Sequence, residues 1–247
     1  MGKGGAGAGR MRAGTRLGAA AGIAGPLAFT AAWAWASLLQ GRHGATEVQI
    51  SGLAAPDARD PWIMITGFLV LGGCSAGFGT ALRRELGGSG RAGPAPRLIQ
   101  AAGVLTVAAG LLRRDQMLLT APAGESWHNH AHDVVSALIY VALLVAPLLL
   151  ARRLRGDRRF GMLRLPLAAS SVVSAGVLGA FYAQAAPSWN GLLQRVAVSL
   201  PLAAMCAVAA GMLGAERAGP ADLARAAGPG PCSDADAGAG AASAGRA

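Results

Sequence analysis

Three of the four histidines in the chain fall within five residues, in Trp127-His128-Asn129-His130-Ala131-His132-Asp133. The cluster stands where a polar segment runs into a long apolar stretch, Val134 to Leu150. Titratable groups at the mouth of an apolar helix are costly to keep, so this is the first place to look for function. His128 and His132 are four apart and share a helix face. That spacing suits two ligands of one divalent metal such as zinc, and Asp115, at the end of the preceding apolar stretch, is the candidate third ligand. A water on such a metal would attack a lipid or lipid-linked substrate, with Arg195 stabilising the developing negative charge. The plainer reading is that these imidazoles only face water or lipid headgroups. It is preferred for His130; for the His128/His132 pair both readings are open.

The neighbouring residues extend the cluster. Ser126 is placed to cap the helix that carries it. Asp133, Ser136 and Tyr140 descend one face of that helix as a polar stripe. Arg113 and Arg114 close the stretch before it, where a helix C-terminus favours cations. Arg195 lies in the first turns of the last apolar stretch, where the helix dipole disfavours a cation, among apolar residues. An acidic partner is therefore expected for it, Asp133 or Asp115, in a buried polar network with Arg114.

The elements that must position these residues are helices. The chain of 247 residues is 53% hydrophobic and 14% charged, against about 25% charged in soluble domains. A spanning helix needs about 20 mostly apolar residues, and six stretches qualify: 18–40, 62–82, 97–113, 132–151, 164–186 and 192–214. None alternates like a strand. The expectation is an all-α membrane protein, a bundle of six transmembrane helices over 17–215, between a basic tail (1–16) and a C-terminal tail (216–247) that are too poor in apolar residues to order. Of 22 basic residues, 17 fall on the side of the two termini, which puts both termini in the cytoplasm. The first stretch also has features of a signal peptide, with a small-x-small site at Ala32-Trp33-Ala34. It runs on to Leu39, however, and is read as a retained helix.

The net charge of +10 raises nucleic-acid binding. The basic residues come in short runs between apolar stretches, with aromatics at only 5%, so membrane topology explains the excess and no nucleic-acid partner is expected. Arginine outnumbers lysine 21 to one, and Ala and Gly abound, as in GC-rich bacterial genomes; the location expected is the bacterial plasma membrane, with membrane lipids as partners. Cys74, Cys206 and Cys232 lack metal-site spacing and read as apolar fillers and a tail thiol. Gly73 and Gly77 form a GxxxG pair, read as packing within the bundle. Pro26, Pro147 and Pro201 lie inside spans. No Walker loop, dinucleotide fingerprint, HExxH or GxSxG is present, and the histidines do not come from facing helices, so neither nucleotide nor haem is expected.

Several short motifs, in order, resemble the bacterial membrane family catalogued as domain of unknown function 998. They are Gly22-Ile23-Ala24-Gly25-Pro26, Ile50-Ser51-Gly52-Leu53, Pro61-Trp62 with Gly67-Phe68, Arg114-Asp115, His128 with His132, and Gly191-Leu192-Leu193-Gln194-Arg195. The resemblance runs from about Gly22 to Gly214. It implies six helices, a membrane location, and Asp115, His128, His132 and Arg195 as the family's polar positions; it implies no activity. The family usually carries Asp where this chain has Gly52, so a role for that Asp would be lost here or taken by Glu47. Three functions fit the sequence: a non-enzymatic structural, lipid-sensing or accessory membrane protein, first; a metal-dependent membrane hydrolase at the outer leaflet, second; and a small-molecule transporter, third, since midspan residues are mostly apolar.

Overall fold

In the computed structural model, residues 11–41, 44–87, 93–118, 125–157 and 160–217 are described. Both tails expected to be disordered lie largely outside these residues. The described chain is built from six α-helices: α1 (Ala13–Leu39), α2 (Pro61–Gly87), α3 (Ala95–Leu111), α4 (Trp127–Arg153), α5 (Arg164–Tyr182) and α6 (Asn190–Arg217). Three short 3-10 turns accompany them, and no strand occurs among the described residues.

Five of these helical segments are long and apolar enough to cross a membrane; α3, with 17 residues, is apolar but shorter. At 1.5 Å per residue it spans about 25 Å. The side chains on the outward faces are apolar: Val104 is 63% exposed, Val141 57% and Val172 66%. A soluble bundle would put charge there; a multi-pass membrane protein puts hydrocarbon there.

The expected Ser126 cap is present: α4 starts at Trp127, ahead of its apolar stretch, with the Ser126 hydroxyl accepting from Asn129 N–H at 3.3 Å. Two other helix ends differ from the sequence expectation. α3 stops at Leu111, so Arg113 and Arg114 lie beyond its end and do not serve its dipole. α1 begins at Ala13, inside the segment read as a tail, and runs unbroken through Ala32-Trp33-Ala34.

Each helix packs on the next, and α6 closes the ring against α1. Small residues set the closest approaches. A Cβ on Gly72 of α2 would lie 2.6 Å from Gly103 O on α3, and one on Gly18 of α1 would lie 2.8 Å from Gly77 O. Gly77 of the expected GxxxG pair thus gives its backbone to the contact with α1, although neither glycine points its Cα–H bond at a neighbour. A Cβ on Gly73 or Gly77 meets nothing within 4 Å; the face packed on α3 is Gly72, Ala76 and Gly79. One core cluster fills the end of the bundle around Phe78, Leu82, Leu154 and Met212. A second fills the other end, around Phe29, Leu53, Met64 and Leu202, and includes the α1–α2 connection. At this second end the three arginine-poor connections meet. Met117 N–H donates to Asp57 at 2.8 Å, and Leu192 N–H donates to Thr46 O at 3.2 Å.

Candidate functional site

The polar residues singled out by sequence all lie at that end, but they assemble differently from expectation. Asp115 is committed to the start of α4. Its carboxylate accepts from Ser126 N–H at 2.7 Å and from the Ser126 hydroxyl at 2.5 Å. These two bonds hold its carboxyl below the usual carboxylate range, with smaller help from His128 and Arg114. A carboxylate at a helix N-terminus also offsets the unpaired N–H groups and the dipole there. Asn129, buried in the first turn, joins the parts: its side-chain oxygen accepts from Asp115 N–H at 3.3 Å and its amide donates to Asp133 at 3.3 Å. Asp133 in turn faces Arg114 at 3.3 Å, and Arg114 also reaches Gln49 at 3.5 Å.

The three histidines separate. His128 is exposed and stacks on Trp127, ring centroids 3.8 Å apart. His130 is exposed and faces Glu125 at 3.4 Å. His132 is 1% exposed. Its Nδ1 donates to two carbonyls of the preceding helix, Leu112 O at 2.6 Å and Ala109 O at 3.1 Å. His132 thus caps α3, whose last carbonyls have no intrahelical donor. Among the described residues no group of three His, Cys, Asp or Glu side chains is placed to hold a metal ion. The expected set of His128, His132 and Asp115 is not assembled, because each is engaged by a different neighbour.

Arg195 also departs from expectation. It is 3% exposed and has no carboxylate partner among the described residues. One guanidinium nitrogen donates to three backbone carbonyls, Ala45 at 2.7 Å, Val48 at 2.6 Å and Gly191 at 2.8 Å, and the other to the Ser37 hydroxyl at 2.8 Å. The Trp33 ring lies 5.2 Å away, within cation–π range. The loop carbonyls come so close to α6 that a Cβ at Gly191 would collide with Val48 O. A cage of dipoles, not a counter-charge, holds the cation. Gly52 is fixed in the same way: any side chain there would collide with the Met117 carbonyl. An Asp at 52 is therefore incompatible with this arrangement of the two loops.

Sequence reasoning passed over Gln194 and Asn129, the two amides that tie the site together. Gln194 accepts from Ile50 N–H at 2.5 Å and donates to the Tyr140 hydroxyl at 2.8 Å, so it joins the first loop, α6 and α4. Amides among apolar residues are a visible signal; their partners, far away in the chain, are not.

These residues border a cleft of about 540 Å³ between α4 and the ends of α5 and α6. One part of its wall is polar, with Gln49, Ser51, Arg114, Glu125, His132, Asp133, Ser136, Tyr140 and Gln194; the other is apolar, with Val141, Leu144, Leu178 and Phe181. A smaller inner cavity of about 60 Å³ shares Ser51, His132, Ser136, Tyr140 and Gln194 with it. The polar stripe expected on α4 thus does line one space. No curated protein and no solved structure matches the chain. The family model described as protein of unknown function (DUF998) matches residues 23–211, a span that includes α2 to α5 whole, most of α1 and α6 and every polar residue of the cleft, and the chain belongs to that family.

Proposed function

We propose that this protein crosses the bacterial plasma membrane six times, with both termini in the cytoplasm, and acts without catalysis as a lipid-binding, lipid-sensing protein. The observation that carries the reading is the two-part wall of the cleft. Its polar part sits among the connections at the arginine-poor end, the outer end by the positive-inside rule. Its apolar part descends between α4 and α5, where Val141 and Tyr182 are more than half exposed on the bilayer side. A phospholipid has the same division. The volume of about 540 Å³ suits a headgroup and the top of an acyl chain, the rest staying in the bilayer, and lies within the usual range of ligand sites. Engagement of His132, Asp115 and Arg195 in helix caps and a carbonyl cage supports a binding role over a metal-dependent hydrolase.

Native mass spectrometry of the detergent-purified chain tests this. One phospholipid should remain bound per chain, and Leu178→Trp, which fills the apolar part, should lose it while keeping the helical circular dichroism of the parent. Lipid retained equally by both proteins, or by neither, contradicts the proposal.

A further inference from the structure

Resting on the lipid reading of the cleft, we infer that its polar part selects a phospholipid whose headgroup carries an ammonium N–H donor, and that His132 Nε2 is the atom that reads it. Two carbonyl oxygens converge on His132 Nδ1, at 2.6 and 3.1 Å. Carbonyls only accept, so Nδ1 carries the ring proton. A buried ring hydrogen-bonded only to carbonyls stays neutral, which leaves Nε2 as a bare lone pair. Nε2 is buried and has no hydrogen-bond partner among the described residues. The two ring nitrogens point in nearly opposite directions, so with Nδ1 against α3, Nε2 faces the interior, where His132 lines both the cleft and the inner cavity. Ser136, one turn further along α4, lines both spaces beside it.

The rest of the stripe has complementary polarity. Tyr140 already accepts from Gln194, so its own O–H remains to donate. Eight residues separate His132 from Tyr140, roughly 12 Å along the helix. An acceptor stands at the outer end and a donor deeper. A phospholipid supplies their partners in that order: the headgroup amine first, then phosphate and ester oxygens. The charges agree. The cleft holds one guanidinium, Arg114, which meets the phosphate, and two carboxylates, Asp133 and Glu125, which favour an ammonium over an anionic headgroup.

The test titrates detergent-solubilised full-length protein with short-chain phosphatidylethanolamine, its N,N-dimethyl derivative and phosphatidylcholine, reading affinity by thermal shift. The dimethyl lipid keeps one N–H; the choline lipid has none. We expect affinity to fall about tenfold, the worth of one charge-assisted hydrogen bond, and only at the last methyl. His132→Asn keeps a donor for the Leu112 carbonyl but puts nothing at Nε2; it should bind all three lipids at the choline level. Equal binding of the three by wild type overturns this inference and leaves the lipid reading standing, and does so even if the variant does not fold. No binding of any lipid removes both. A parallel pair, phosphatidylglycerol against phosphatidylmethanol, checks the donor type: an equal preference for the glycerol lipid means that any O–H serves, and overturns the choice of ammonium.

Discussion

Arg195 shows how a buried charge is held without an opposite charge. Isolated burial of a guanidinium is prohibitive, and three carbonyls, a hydroxyl and an indole face replace the water. Removing it strands those carbonyls, each costing about 1–3 kcal/mol when buried and unpaired. Arg195→Ala should therefore destabilise the fold by at least about 3 kcal/mol, read as a fall in folded yield and melting temperature. Arg155→Ala, on the exposed end of the α4–α5 connection, should stay within about 0.5 kcal/mol; equal effects would mean the cage contributes nothing. Asp115 gives a second residue-level expectation. Its carboxyl is held low chiefly by the two Ser126 bonds. A depressed carboxylate stabilises the native state above its unfolded value, about pH 3.9, and the contribution is lost as pH falls through the depressed folded value. Melting curves of wild type and Asp115→Asn should differ at pH 6 and converge below about pH 4; parallel curves down to pH 2 would contradict the capping role. That these residues need polar partners was legible from their types in apolar surroundings. What they bind was not: backbone carbonyls brought in by a loop some 150 residues away leave no pattern in side-chain spacing.

At the level of the helices, the apolar stretches located all six, because hydrocarbon runs of this length have few alternatives. Capping decided the ends: Ser126 starts α4, as its type and place suggested, while the closing of α3 by His132 was not visible in the sequence. The glycines were legible only in part for a related reason: GxxxG records that a backbone can be approached, as Gly18 of α1 approaches Gly77 O, but not that α3 takes the neighbouring face of Gly72, Ala76 and Gly79. The α2–α3 contact gives the expectation. Gly72→Leu must push Gly103 O and Val107 away, an overpacking that costs about 1–3 kcal/mol, whereas Gly73→Leu enters open space. Thermal stability of the two variants in the same detergent should differ accordingly; a Gly73 variant as damaged as the Gly72 variant would mean that this face packs on something else.

For the whole molecule, the ring of helices gathers three connections at one end and leaves a gap between α4 and α5 below them. The gap was not legible in the sequence, since Gln49, Ser51, Tyr182 and Gln194 come to it from three separate segments. Topology decides which leaflet it meets. Reporter fusions at Gly90 and Asp157 should report the cytoplasm and one at Ala123 the periplasm; a periplasmic signal at Asp157 would turn the cleft to the inner leaflet. The central claim is that a phospholipid occupies the cleft with its chain between α4 and α5. The most direct measurement is photocrosslinking in vesicles with a phospholipid bearing a diazirine near the top of one acyl chain, followed by peptide mapping of the adducts. Adducts concentrated at Val141, Leu144, Leu178 and Phe181, and displaced by unlabelled lipid, are the result expected. Adducts spread evenly over the outward faces of all six helices, unaffected by competitor, would contradict it.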